Sequence, residues 1–121
     1  MTYSNCIFVV DDDQSARKGL ARLLRTAGYD VHDFACINDF LDALGSEVSG
    51  SVVLDAGMPE LSGEELHVEL KARGVHLPII VVTAHDDPET RRKAQKMNAV
   101  EFFRKPVDGM ALLDAIDWAL R

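Results

Sequence analysis

Ser51-Val52-Val53-Leu54-Asp55-Ala56-Gly57-Met58-Pro59 is a short apolar run that stops on a carboxylate. Four to eight apolar residues between turn signals read as a strand buried on both faces. Asp55 then stands where the strand leaves the core, with Gly57 and Pro59 marking the loop beyond it. Other apolar runs also end on polar residues. Cys6–Val10 ends on Asp11-Asp12, Ile79–Val82 on Thr83, and the run around Phe102-Phe103 on Lys105. In a parallel sheet these ends share one edge, where open α/β sheets bind ligands and do chemistry.

The rest of the chain supports one α/β domain covering residues 1–121. A length of 121 residues suffices for a single core, and 47% hydrophobic with 27% charged residues is a globular balance. Strand-like and helix-like stretches alternate five times, and each crossover is long enough for a helix. No apolar run is long enough to span a membrane, and Met1–Asn5 is not a signal peptide, so a cytoplasmic domain without membrane contact is expected. A net charge of −7 argues against direct nucleic-acid binding. Cys6 and Cys36 are too few for a disulfide framework, and Cys6 reads as a small hydrophobe opening a buried strand.

The first helix follows Asp11-Asp12-Asp13, with Ala16, Leu20, Leu23, Leu24 and Ala27 at helical spacing and Arg17, Arg22 and Arg25 opposite. Gly28 ends it. Val31–Phe34 alternates like an edge strand, Asn38–Leu44 is a short helix, and Ser46–Gly50 is a polar loop. Ser62-Gly63 opens a helix from Glu64 to Ala72, closed by Gly74, and Pro78–Val82 is the fourth strand. Asp87-Pro88-Glu89 supplies an N-cap, a proline at the first helical position and an acidic first turn. The helix it starts is weakly apolar, with only Ala94 and Met97 among charged neighbours, and Asn98 suits the left-handed residue that closes it. Val100–Arg104 is the fifth strand. Asp108 caps a last helix whose stripe is Leu112, Leu113, Ile116, Ala119 and Leu120; Trp118 falls on the opposite side. An exposed Trp there suits a partner contact, either a second copy or an output segment.

The strand ends gather Asp11, Asp12, Asp55, Thr83 and Lys105. Close carboxylates repel one another unless a cation sits among them, and hard oxygen donors suit Mg²⁺, with Mn²⁺ as a substitute. Lys105 offers a point charge and Thr83 a hydroxyl. Together these groups match the needs of phosphoryl transfer to an aspartate, where positioning and charge neutralisation dominate. No glycine-rich nucleotide loop is present, and no base for fast product release is evident.

Val9-Val10-Asp11-Asp12, Leu54-Asp55 with Met58-Pro59 and Ser62-Gly63, Val82-Thr83-Ala84 and Arg104-Lys105-Pro106 resemble, in order and over nearly the whole chain, the receiver domain of bacterial two-component response regulators. The resemblance implies a flavodoxin-like, CheY-like (βα)5 three-layer sandwich whose parallel five-stranded sheet has the order 2-1-3-4-5. It implies that a sensor histidine kinase phosphorylates Asp55. Asp12 and Asp55 would ligate Mg²⁺ directly, Asp11 through water, and the Gly57 carbonyl would complete the set. Thr83 and Phe102 would be the switch pair, and the fourth helix, fifth strand and fifth helix the output surface. Phe34 and Thr83-Ala84-His85 are similar to the FixJ/LuxR-type subfamily, which implies transcriptional control through a DNA-binding output domain, absent or truncated here. It also suggests a homodimer formed on phosphorylation. Asp13 is an extra carboxylate expected to cap the first helix. Gly57 and His85 flank the site where the family tunes phosphoryl lifetime. His32, His67 and His76 are expected at the surface, with no metal ligation by histidine. Two rivals remain: a Mg-dependent aspartyl-phosphate phosphohydrolase, and an interaction module that keeps the fold without the chemistry.

Overall fold

The computed structural model describes residues 3–45, 48–58 and 63–121. Pro59 and Ser62, quoted above, and Ser46 in the expected loop lie outside the described residues. Strands and helices alternate as β1 (Tyr3–Val10), α1 (Gln14–Thr26), β2 (Asp30–Phe34), α2 (Ile37–Ala43), β3 (Val48–Asp55), α3 (Gly63–Ala72), β4 (Ile79–Thr83), α4 (Pro88–Lys96), β5 (Glu101–Arg104) and α5 (Gly109–Ala119). All four strand pairings are parallel, and the sheet order is β2-β1-β3-β4-β5. The expected flavodoxin-like topology is therefore present.

The sheet is buried on both faces because its central strands carry apolar residues at successive positions. Val52, Leu54 and Val81 face a core closed by Ile37, Phe40, Leu66, Leu70, Ala94 and Met97 from the α2, α3 and α4 side. Val53, Ile80 and Val82 face the opposite core, closed by Ala21 and Leu24 of α1 and Leu112 and Ile116 of α5. This explains why the quoted run does not alternate: a strand covered on both sides needs apolar residues in both directions.

Boundaries moved in several places. Residues 48–50, expected in a loop, extend β3, where Gly50 pairs with Cys6 across an irregular register. A Cβ at Gly50, whose φ is +137°, would collide with the Cys6 carbonyl oxygen, so glycine is required there. In α1 the buried small residue is Ala21, while Ala27 is exposed. Arg17 does not lie on a solvent face; it reaches over the sheet edge to Asp33. His32 is half-buried and stacks on Phe8, whereas His67 and His76 are exposed as expected. Caps were legible. Asp13, Asp87 and Asp108 each accept backbone N–H bonds at a helix start, and Asn98 adopts φ 62°. Trp118 is 75% exposed on α5, opposite the buried Leu112 and Ile116.

Candidate functional site

Each group at the site is delivered by the end of a strand. Asp11 follows β1, and its N–H donates to the Phe34 carbonyl of β2 at 3.1 Å, which holds it at the sheet edge. Asp55 ends β3 and Thr83 ends β4. Lys105 follows β5, and its N–H donates to the Thr83 carbonyl at 2.7 Å, so the lysine stem is fixed against β4. The Lys105-Pro106 bond is cis.

The side chains converge. Lys105 Nζ lies 2.7 Å from Asp11 Oδ2 and 3.4 Å from Asp55 Oδ2. Carboxylate oxygens of Asp11, Asp12 and Asp55 fall within 4.8 Å of one another. Asp11 is only 1% exposed, Asp55 is buried, and Asp12 opens to solvent. The sequence-predicted acidic trio and the ammonium thus share one pocket.

The charges do not balance. Burial pushes the Asp11 carboxyl above the ordinary aspartate range; the Lys105 bond pulls it down, and the field of Asp55 adds to the upward push. Burial alone would lower the Lys105 ammonium. The bond to Asp11 and the charges of Asp55 and Asp11 outweigh it, and the group is held above the usual lysine value. One ammonium among three carboxylates leaves excess negative charge. The donors are all oxygen, so the residues present fit a hard divalent cation.

Thr83 is fully buried, and its Oγ1 accepts the His85 N–H at 3.0 Å. Gly57 donates its N–H to Asp55 Oδ1 at 2.8 Å. A Cβ built on Gly57 would stand 3.2 Å from Asp55 Oδ1, 3.5 Å from the His85 ring and 3.7 Å from Thr83 Oγ1. The missing methyl is therefore the space into which carboxylate, hydroxyl and imidazole all face. Phe102 is half-buried on β5, one strand over, with the Arg91 guanidinium 4.6 Å from its ring centroid. Arg91 is in turn paired with Asp86 in the loop after Thr83.

Two contributors were not legible. Lys93, read only as one of the charged neighbours on α4, donates to the carbonyls of Ala56 at 2.9 Å and Met58 at 3.1 Å, gripping the loop on either side of Gly57. Arg17 donates to the Asp11 carbonyl at 2.9 Å. Neither has a local sequence signal, because each long side chain meets a partner that only the fold brings near.

Comparison with known proteins agrees with this geometry. The pattern described as the response regulator receiver domain matches residues 7–117. The chain is 42% identical over 117 residues to the transcriptional regulatory protein TdiR of Thauera aromatica, covering 97% of this chain and 52% of that protein. It is 40% identical over 110 residues to the transcriptional regulatory protein FixJ of Azorhizobium caulinodans, covering 91% and 52%. The structure of full-length FixJ from B. japonicum superposes with a TM-score of 0.85 at 39% identity, over 99% of this chain and 59% of that one. The FixJ-N structure gives 0.84 at 32% identity over 98% and 94%. The chain spans about half the length of the curated relatives it matches. With five parallel strands in the order 2-1-3-4-5, an acidic pocket at their ends and a family match over nearly its whole length, this chain belongs to the response regulator receiver domain family.

Proposed function

We propose that Asp55 accepts a phosphoryl group from a phosphohistidine of a sensor kinase, with Mg²⁺ held by Asp11, Asp12, Asp55 and the Gly57 carbonyl. The observation that carries this reading is the Lys105–Asp11–Asp55 cluster beside the open space at Gly57. In the transfer, an Asp55 oxygen forms the new O–P bond as the P–N bond to histidine breaks. The leaving nitrogen keeps the electron pair and takes a proton from solvent. Mg²⁺, when bound, supplies positive charge to the phosphoryl oxygens. Lys105 neutralises charge from the β5 side, and the Gly57 N–H holds the attacking carboxylate in place. Asp12, exposed at the rim, keeps the approach polar.

The response is a two-state switch. A phosphoryl group on Asp55 offers a new acceptor to the Thr83 hydroxyl, which now accepts the His85 N–H. Movement of Thr83 displaces the His85-Asp86 loop and with it the Arg91 cover on Phe102, changing the face made by α4, β5 and α5. Moving populations from 1:99 to 99:1 takes about 5.5 kcal/mol of differential stabilisation. That face then pairs with a second copy or passes the signal to a DNA-binding output domain in the cytoplasm.

Incubation with acetyl phosphate and Mg²⁺, followed by intact-mass measurement, tests the reading. One phosphoryl group per chain is expected, absent in Asp55→Asn and absent without the divalent ion. Rapid multiple turnover of the phosphate donor would instead identify a phosphohydrolase. No uptake at all would leave an interaction module.

A further inference from the structure

The other end of the first two strands carries a second cluster of ligating groups. Cys6 of β1 sits beside Asp30 of β2 in the parallel register, and Phe8 sits beside His32. Residues two apart on a strand point to the same face, so the thiol, the carboxylate and the imidazole gather on one side of the sheet edge. Cys6 Sγ lies 3.4 Å from Asp30 Oδ2, and His32 Nε2 lies 3.5 Å from the same oxygen. One ligand atom from each of the three residues falls within 4.8 Å of the others.

We propose that Cys6, Asp30 and His32 form a zinc site, with solvent as the fourth ligand. In tetrahedral zinc, bonds of about 2.0–2.2 Å to nitrogen or oxygen and about 2.3 Å to sulfur place neighbouring ligand atoms about 3.4–3.6 Å apart. Two of the three edges already have that length. The donor set of thiolate, imidazole and one carboxylate favours a borderline-soft ion and distinguishes this site from the all-oxygen pocket at Asp55. The His32 ring is oriented by stacking on Phe8 at 6.0 Å and an interplanar angle of 30°, which limits the reorganisation needed for binding. Cys6 is buried and Asp30 is exposed, so the ion enters from the solvent side past the carboxylate. Bound zinc would clamp the edge strand β2 to β1. It lies at the opposite end of these strands from Asp11, so it does not depend on the phosphoryl reading.

The test uses the whole 121-residue chain in millimolar-range Mg²⁺, added as a competitor for the oxygen pocket. Co²⁺ titration should give a near-ultraviolet thiolate-to-cobalt band at one equivalent, and Zn²⁺ should bleach it and raise the thermal midpoint. The band should persist in Cys36→Ser and vanish in Cys6→Ser. His32→Gln and Asp30→Asn, both at less buried positions, should weaken cobalt binding at least about tenfold while leaving circular dichroism unchanged. Absence of the band in the unmodified protein would overturn the proposal and leave only a hydrogen-bonded thiol–carboxylate–imidazole group. So would a band that survives Cys6→Ser, or unchanged affinity in both His32→Gln and Asp30→Asn.

Discussion

Helices α1 and α4 begin alike and are held differently. Each starts from an aspartate cap, Asp13 or Asp87, after a strand that feeds the acidic pocket. From there α1 buries Ala21 and Leu24 in the core and packs Leu20 and Leu23 against it. Three of its four basic residues, Arg17, Lys18 and Arg25, converge on Asp33 near the end of β2. By contrast α4 buries only Thr90 and Ala94 within its span, with Met97 just past its end. Polar contacts do the rest: Lys93 to two loop carbonyls, and Arg91 to Asp86 and over Phe102. A helix anchored by apolar burial stays in place. One held by hydrogen bonds can exchange them at small net cost, since each is worth only about 0.5–1.5 kcal/mol. The mobile element of the proposed switch is therefore the helix with the thinner core.

The largest effect should come from removing the anchor of α1. Leu24→Ala deletes a fully buried side chain and should lower unfolding stability by about 2–5 kcal/mol in urea melts. No side-chain truncation to alanine within Pro88–Lys96 should approach it, because no large apolar side chain is buried there.

Asp11→Asn should act with the opposite sign. The folded-state carboxyl of Asp11 is raised, so at neutral pH folding is opposed by keeping that group ionised. The neutral amide removes the repulsion with Asp55, while Lys105 retains Asp55 at 3.4 Å. The thermal midpoint should rise by a few degrees at neutral pH. This gain should shrink as pH falls through the raised folded value toward the ordinary aspartate range, where wild-type Asp11 is itself protonated. Metal-dependent phosphorylation should be lost in the same variant. A midpoint that falls would mean that the ion pair outweighs the crowding of charge.

Lys93→Gln probes the polar grip of α4. Losing the two carbonyl contacts should cost about 1 kcal/mol of stability. The more informative reading is functional: the loop around Gly57 loosens, and the Mg²⁺ concentration giving half-maximal phosphorylation rises severalfold. An unchanged Mg²⁺ requirement would reduce Lys93 to a surface contact.

These contrasts also mark how far the sequence could be read. The sheet was legible because buried strands have a one-dimensional signature, seen in Val52-Val53-Leu54 and Ile79–Val82. The convergence at the candidate site was legible because strand ends align once the strands are parallel, and Asp11, Asp12, Asp55 and Lys105 do meet. Caps at Asp87 and Asp108 were equally clear, since capping is local. What stayed hidden was long-range and carried by flexible side chains. Arg17 looked like a solvent-facing arginine, Lys93 like one of the charged residues of a weak helix, and His32 like a surface histidine. Each meets partners supplied by other elements of the fold, and no spacing along the chain encodes such a meeting.

The smallest effect should appear at Asp33, where the comparison between the helices can be read against pH. Burial by itself would raise this carboxyl, but bonds from Lys18, Arg17 and Arg25 overcome it and hold the group below the ordinary aspartate range. A folded-state value below the unfolded one means that the carboxylate stabilises the fold fully above about pH 4, the unfolded range. That contribution is lost as pH falls further through the lowered folded value. Lys18 and Arg25 are more than half exposed, so solvent screening limits their share to about 1 kcal/mol or less. Arg17 is largely shielded, but it keeps its bond to the Asp11 carbonyl and can still donate to an amide oxygen at position 33. Asp33→Asn should therefore lower stability slightly at neutral pH, more at low salt than at high salt, and the gap to wild type should close only in strong acid. Because the three cations belong to α1, the loss should fall on that helix: amide exchange should quicken along α1 and β2 and remain unchanged in α4. Equal quickening in both helices would mean that α1 is not independently anchored, and the contrast between the fixed and the exchangeable helix would fail.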